Sequence, residues 1–521
     1  MNLIEPYQFR PEERPLLAGG PFSPPHPLLR RLGYGAIGVL CGIAASFDNA
    51  LVNVNLPSLV GSAGFDIALA SLLPAVYFAM NASTNLLLIK ARIQFGIPRT
   101  AVALLVLYIA VGLAQFVFTG FASAVAVRAA SGMFGGALIS MSIFYLLQVF
   151  PPKAKPAAVL IGVGLVQLGT PLARLVPVEM LALGSWHSLH LFEIGVATAV
   201  LAACLALPLP PSERSPALEP LDFVSASLIA AALTLVCAVL GQGRLLWWHD
   251  TPWLGWALTT AVVLFASAVL IELHRARPLL QIQWITSADV VRFAAVALVV
   301  RLALAEQTFG SVGLLSSGGL INDQLHTLFA IVAVAMVLGI ITAVVTLTPN
   351  SVPYQVMAAA LLIASGAWLD SSATNLTRPE QLYLSQALIG FGTTLFIGPA
   401  LGFGILRSLA RGPDFVVSLI VLFSMTQNVG ALLGSALLGS YQTMSTRAHA
   451  AALSEHLLGT DPQVAARLLA QGPAALMQAL TREASVLAFN DTFALVAAVA
   501  AATALFIACA LAINALRKVL Q

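Results

Sequence analysis

A small set of ionisable and amide side chains interrupts long apolar runs, and these residues need a chemical reason to be there. Asp48 lies in AASFDNALVNVNLP together with Asn49, Asn53 and Asn55. On a helix Asn55 returns to the face of Asp48, while Asn49 and Asn53, four apart, share a neighbouring face. Such a group either lines a polar cavity or hydrogen-bonds between helices. Tyr77, Asn81 and Asn85 recur at every fourth position, a stripe that would line the same cavity or meet a polar neighbour. Arg128 stands in AVAVRAASGMFGGALIS, and Gly132 and Gly136 continue its face. Small residues let helices approach closely, which would bury this arginine between them. An arginine does not release its proton, so its task would be to hold a carboxylate or a water and tune a nearby acid.

Further along, DVVRFAAVALVVRLALAEQTFG carries Arg292, Arg301 and Glu306. Arg292 sits at the start of the run, where it would anchor the helix end. Arg301 and Glu306 lie deeper and, five apart, do not face each other. A carboxyl group at Glu306 withdrawn from water could take up and release a proton; nearer the interface it would simply be wet. Gln427 and Asn428 precede GALLGSALLG, whose Gly430, Gly434 and Gly439 form a close-packing pattern. Arg174, Glu193 and Asp491 fall near the ends of apolar runs; Arg174 and Glu193 flank one short loop and could pair. His187 and His190 lie near Ser185 and Ser188 without an accompanying acid or nucleophile motif, and no phosphate-binding glycine loop occurs. Neither an enzyme nor an ATP-driven machine is expected. The four cysteines, Cys41, Cys204, Cys237 and Cys509, all lie in apolar runs, which predicts buried packing and no disulfide, and no spacing suggests a metal.

The elements that position these residues follow from composition. Of 521 residues, 59% are apolar and 9% charged, against about 25% charged in ordinary soluble proteins. A chain so poor in charge needs lipid as its solvent, so an all-α integral membrane protein is expected. A net charge of +3 gives no case for nucleic acid. A spanning helix takes about 20 mostly apolar residues. By that measure six candidates come first, at 34–57, 66–89, 100–120, 122–149, 156–178 and 189–208. Two follow at 222–241 and 253–273. Six more lie at 288–309, 325–347, 353–370, 381–407, 415–442 and 488–513. The chain thus divides into a tail at 1–33, a six-helix bundle at 34–208, two additional helices within 209–287, and a second six-helix bundle at 288–521. Residues 1–29 mix acids, bases and prolines and do not read as a signal peptide.

Basic residues cluster in alternate loops: Arg30 and Arg31; Lys90, Arg92 and Arg99; Lys153 and Lys155; Arg214; His274, Arg275 and Arg277; Arg407 and Arg411; Arg517 and Lys518. The positive-inside rule then places both termini in the cytoplasm and favours an even number of spans. The segment 443–487 stands apart as a long connector on the opposite side, with helix-forming composition at 446–458 and 461–471. It would be either a solvated link or a docking surface.

The six-plus-two-plus-six layout resembles the fourteen-helix drug–proton antiporters of the major facilitator superfamily, the EmrB-like exporters in particular. FDNALVNVNLP resembles the family pattern LDxTIVNVALP at Asp48, Asn53 and Pro57. Arg128 to Gly132 resembles RxxQG, with Ser131 in place of Gln. Gly164, Gly169 and Pro171 resemble the glycine- and proline-rich antiporter motif, with Arg174 where the family prefers a small residue. Residues 241–253 and 482–493 resemble the family's central loop and its run into the last helix. After the second helix, LIKARIQFGIPR keeps Gly96 and the basic residues of GxLADRxGRR but has no acid.

The resemblance implies a major facilitator fold and a protein of the inner (plasma) membrane. It also implies a cofactor-free, proton-coupled carrier that exports drugs or toxic amphipathic compounds by alternating access. Its partners would be a small-molecule substrate, protons and the lipid bilayer, with a periplasmic membrane-fusion adaptor and an outer-membrane channel as further partners. Proton coupling falls to Asp48, Arg128, Arg301 and Glu306. The substrate cavity falls to Asn53, Asn55, Tyr77, Asn81, Asn85, Gln427 and Asn428. Pro57, Gly96, Gly132, Gly164, Gly169 and Pro171 are structural. The alternatives are a carrier for one metabolite, siderophore or lipid in either direction and, more remotely, a membrane enzyme or receptor.

Overall fold

A computed structural model describes residues 19–520, except positions 119, 178, 180–184, 349 and 459, and also Arg10, Glu13 and Pro15. Most of the expected tail at 1–33, and the side chains of Arg517 and Lys518, lie outside the described residues.

Among the described residues thirteen helices are long and apolar enough to cross a membrane. In the first half they are α1 (Leu28–Ala63), α2 (Ile67–Phe95), α3 (Ile97–Ala114), α4 (Phe121–Leu147), α5 (Pro152–Arg174) and α6 (Trp186–Ala206). The central pair is α7 (Pro220–Gln242) and α8 (Pro252–Leu273). A fourteenth crossing, α9, is broken: Ala288–Ala303 passes through a π-helical turn, Glu306–Ser311, into Val312–Ser317. The last five are α10 (Asn322–Val345), α11 (Val352–Asp370), α12 (Pro379–Leu409), α13 (Pro413–Glu455) and α14 (Pro462–Leu520). The expected ninth span is therefore present but discontinuous, and the acid Glu306 opens its break. Among the described residues the β-structure is limited to one isolated bridge, Pro21 with Ser212.

The punctuation follows from backbone chemistry. Proline occupies the first turn of α3, α7, α8, α11 and α13, where its missing N–H costs nothing. Gly96 separates α2 from α3 at φ 86°, a left-handed conformation that glycine adopts without strain.

The first six helices form one bundle, with α4 packed on α1 and α2. The last six form another, with α12 packed on α10 and α11. The bundles meet along two seams. On one, α5 lies against α10 and α12, where Gly164 faces Ile340 and Gly398 faces Leu160. On the other, α2 lies against α13. The central pair packs on itself and leans on α2, leaving Trp256 and Val262 of α8 exposed to the lipid side.

With fourteen crossings, α1 begins and α14 ends on one face, here called proximal. The described basic loop clusters from Lys90 to Arg411 fall on that face. The opposite face is called distal.

The segment 443–487 is not an irregular connector. α13 runs on to Glu455, and α14 begins at Pro462 and bends at Gly472 (φ 80°). The two helices thus extend beyond the bundle as a helical hairpin. Asp491 fastens its base, accepting from the Ser445 hydroxyl and meeting His449 Nε2 at 2.7 Å. Arg447 lies over the Trp247 ring at 4.6 Å, which ties the hairpin to the loop between α7 and α8. Cys41, Cys204 and Cys237 are buried, whereas Cys509 is exposed on α14, so the expectation of buried packing fails for that one.

Candidate functional site

Two buried carboxyl clusters sit behind the walls of one central cavity. The first belongs to the N-terminal bundle. Arg128 is completely buried, and its Nη2 lies 2.8 Å from Glu193 Oε2 and 3.7 Å from Asp48 Oδ1. Asp48 also accepts from the hydroxyls of Tyr108, at 3.0 Å, and Ser131. His190 Nδ1 meets the same Glu193 oxygen at 2.7 Å. The helix geometry explains the match: Arg128 and Glu193 each lie two turns into α4 and α6, counted from the distal ends at Phe121 and Trp186, so they sit at one depth. Gly132, one turn after Arg128, faces the backbone of Tyr77 and Asn81, where a Cβ would come within 2.5 Å of the Tyr77 carbonyl. That contact holds α2 against α4.

The expected pairing of Arg174 with Glu193 does not occur. Arg174 ends α5, and its Nη1 donates to Asn322 Oδ1 at 3.1 Å. Asn322 Nδ2 returns a bond to the Arg174 carbonyl at 3.1 Å, so this arginine joins the two bundles. His190 is buried, with its ring edge-on to Trp186.

The second cluster belongs to the C-terminal bundle. Glu306 is fully buried rather than wet. Gln386 Nε2 donates to Glu306 Oε1 at 3.1 Å and to Asp370 Oδ2 at 2.7 Å. Asp370 is 2% exposed. Among the described residues neither carboxyl has a cation within ion-pair distance. Sequence reasoning missed Asp370 and Gln386. Asp370 is the last residue of its apolar run, where an acid reads as a solvated helix end, and a single glutamine carries no signal of its own. Arg301 does not join Glu306; its Nε donates to the Gln427 carbonyl at 3.2 Å.

The cavity between the bundles has a volume of about 1150 Å³. Asn53, Asn55, Tyr77, Asn81, Asn85, Gln427 and Asn428 all line it. Asn428 Nδ2 donates to Asn81 Oδ1 at 3.0 Å, a direct bond between the bundles. Tyr77 donates to the Ala45 carbonyl at 3.0 Å, and Asn55 Nδ2 caps the Leu51 carbonyl at 2.8 Å. At the proximal end the wall is buried, with Ile89, Arg92, Phe144, Ile405 and Val416. Toward the distal end the lining becomes exposed at Pro57, Ser58, Ser316 and Ile321. The cavity therefore opens distally and is closed proximally.

An all-helical chain with two six-helix bundles, a central pair and a cavity on the bundle interface can be compared with solved structures. The human organic anion transporter MFSD10 (TETRAN) aligns over 91% of this chain and 100% of its own, at 14% identity and TM-score 0.53. A peptide transporter, POT, in complex with sulfate aligns over 91% and 94%, at 15% identity and TM-score 0.56. A bacterial homologue of the human drug peptide transporters PepT1 and PepT2 aligns over 94% and 100%, at 11% identity and TM-score 0.56. The chain has the major facilitator fold. No family model matches it. By sequence it is similar to a probable actinorhodin transporter of Streptomyces coelicolor, 29% identical over 276 residues. That match spans 51% of this chain and 45% of the relative, so the chain aligns with less than half of the relative's length.

A third polar cluster lies at the proximal face of this fold, outside the cavity. Lys90 of α2 meets Asp222 at 2.7 Å. Arg275 meets Asp222 at 2.6 Å, Glu219 at 2.9 Å and Glu272 at 2.9 Å. Burial works against the charge of Arg275, but the hydrogen bonds it donates to Asp222, Glu219 and Glu272 more than offset it and hold its pKa above the usual arginine range. Through Lys90 and Arg275 these acids fasten α7 and α8 to the N-terminal bundle.

Proposed function

We propose that this protein is a proton-coupled secondary transporter that exports amphipathic organic compounds across the plasma (inner) membrane by alternating access. The observation that carries the reading is the pairing of one large interfacial cavity with a buried carboxyl cluster in each bundle. Buried carboxyls are costly in a membrane and mark functional sites, proton relays among them. Among the described residues the Glu306–Gln386–Asp370 group has no cation to balance it, and a proton is the simplest counter-charge. Asp48 and Glu193 share a single arginine, so their protonation would alter how Arg128 holds α1 to α6.

The basic residues of the proximal face support a cytoplasmic orientation for it. The cavity would then open to the outside, the release side of an exporter. Rocking of the bundles about the Asn81–Asn428 and Arg174–Asn322 contacts would close the distal mouth and open the proximal one. The distal hairpin would be the surface available to a periplasmic adaptor.

The test uses the full chain in proteoliposomes under an imposed pH gradient. Substrate-driven proton movement is expected in the wild type and at least tenfold less in Asp48→Asn and Glu306→Gln. Normal movement in both variants would remove the coupling assignment.

A further inference from the structure

Four arginines line the cavity: Arg92 on its proximal floor, Arg301 at mid-depth, and Arg174 and Arg244 toward the mouth. Among the described residues two carboxylates line it, Glu179 and Asp323, and both are exposed at the distal rim. Among the described residues, none of the four arginines makes a salt bridge. Asp48, just behind the wall, is already engaged by Tyr108, Ser131 and Arg128.

The partners of the four are instead rings and carbonyls. Arg92 lies 4.9 Å from the Phe144 centroid, and Arg244 lies 5.7 Å from that of Phe309. Arg301 donates only through Nε to a backbone carbonyl among its described bonds. Arg92 is 5% exposed, and its Nε and Nη1 are buried without a hydrogen-bond partner among the described residues. Both side-chain polar atoms of Gln427, next to Arg301, are likewise unpartnered. Buried polar groups normally find partners, and a buried guanidinium normally finds an anion.

We infer that the cavity is built for an aromatic organic anion, such as a ring system bearing a carboxylate, sulfonate or phenolate. This rests on the transport reading above and names its substrate class. Arg301 and Arg92 supply the charge and the paired donors, which a planar oxyanion accepts in two parallel bonds. Tyr77, Phe78 and Phe423 on the lining supply faces for the rings. The volume exceeds the roughly 300–1000 Å³ of a drug-sized pocket, so a fused multi-ring compound fits. Low-dielectric walls strengthen the attraction for an anion and repel a cation. Because the arginines keep their charge at every working pH, selectivity for the anion is independent of the proton cycle at the carboxyl clusters.

The probes are carboxyfluorescein, an anionic fused-ring dye, and ethidium, a cationic one of similar size. Fluorescence anisotropy with the purified full chain in detergent reads binding, and proteoliposomes under a pH gradient read movement. Carboxyfluorescein is expected to bind saturably and to be moved, with ethidium neither binding nor competing. Arg301→Gln is expected to weaken carboxyfluorescein binding at least tenfold, and Arg301→Lys to restore part of it, which separates lost charge from lost packing. Binding of ethidium without carboxyfluorescein, or of neither dye, overturns the anion site. Equal binding to wild type and Arg301→Gln overturns the assignment of Arg301. Binding of carboxyfluorescein without movement keeps the anion site and removes the transport reading.

Discussion

Gln386 stands between two buried carboxyl groups, its side-chain nitrogen donating to Glu306 at 3.1 Å and to Asp370 at 2.7 Å. One amide thus connects the π-helical break in α9 to the end of α11. Gln307 adds a second amide, its Nε2 reaching the Gln386 carbonyl at 3.3 Å. A change of protonation at either carboxyl alters which bonds Gln386 can donate, and so bears directly on the break in α9.

If the two carboxyls act as one proton-binding unit, their removal will be non-additive. Glu306→Gln and Asp370→Asn should each lower coupled transport at least tenfold, and the double variant should be no worse than the poorer single one. Melting temperatures should stay equal or rise, since replacing buried acids by isosteric amides removes a desolvation cost. Multiplicative losses in the double variant would show two independent groups.

The N-terminal cluster predicts the opposite sign for stability. Arg128 is the one cation between Asp48 and Glu193 among the described residues. Arg128→Met would leave those two carboxyls buried with no arginine to hold them. Breaking a buried pair from one side costs about 3–5 kcal/mol, so a large drop in melting temperature is expected. Glu193→Gln keeps one bond to Arg128 and should cost much less. A small effect of Arg128→Met would mean that water reaches this cluster.

These two clusters show what the sequence could and could not tell. The apolar runs of the spanning helices and the four-residue spacing of Tyr77, Asn81 and Asn85 were legible, because both follow directly from helix geometry; the break in α9 was not. Glu193 was mispaired with Arg174 because loop proximity along the chain is a poor guide to depth. Arg174 ends its helix, whereas Glu193 lies two turns inside and meets an arginine 65 positions away. Asp370 and Gln386 come together only through tertiary packing. The segment 443–487 read as a connector because its charges lower its hydropathy, yet its local helix propensity was visible and is realised as a hairpin.

The proximal cluster should act as a fastener. Asp222 and Glu272 are buried, and Arg275 is the cation common to both. Arg275→Ala should cost about 3–5 kcal/mol. Lys90→Ala, which removes a more exposed partner, should cost less than half as much. Limited proteolysis near 209–219 should speed up in Arg275→Ala first. Equal effects of the two variants would argue against Arg275 as the centre of the cluster.

His26 gives a pH dependence outside the membrane. Its Nε2 lies 3.1 Å from Gln148 Oε1 and its ring packs on Tyr34. Burial pushes its pKa below the ordinary value; the bond to Gln148 opposes this, and Arg30 adds to it. Folding therefore favours neutral His26. The docking of residues 19–27 on the proximal face is fully present above about pH 6.5 and weakens as pH falls toward the lowered folded value. Hydrogen exchange of that segment, corrected for intrinsic rates, should be faster at pH 5 than at pH 7.5, and His26→Gln should remove the difference. Identical protection at both values would exclude this role.

Two glycines separate packing from helix propensity. At Gly132 a Cβ would lie 2.5 Å from the Tyr77 carbonyl oxygen and 3.1 Å from the Asn81 nitrogen. Both are backbone atoms of α2, which cannot rotate away. Gly132→Ala must therefore push α2 off α4, and overpacking of this kind costs about 1–3 kcal/mol. The shift would carry Tyr77 and Asn81 with it, moving one wall of the cavity and the Asn81–Asn428 bond, so transport should fall along with melting temperature. At Gly195, in the interior of α6, a Cβ meets nothing within 4 Å. Gly195→Ala should be neutral or stabilise by up to about 1 kcal/mol through helix propensity, with transport unchanged. Thermal melts of both variants in detergent, paired with proteoliposome assays, read the two effects. If Gly132→Ala behaves like Gly195→Ala, the close α2–α4 contact does not set the geometry of the cavity wall.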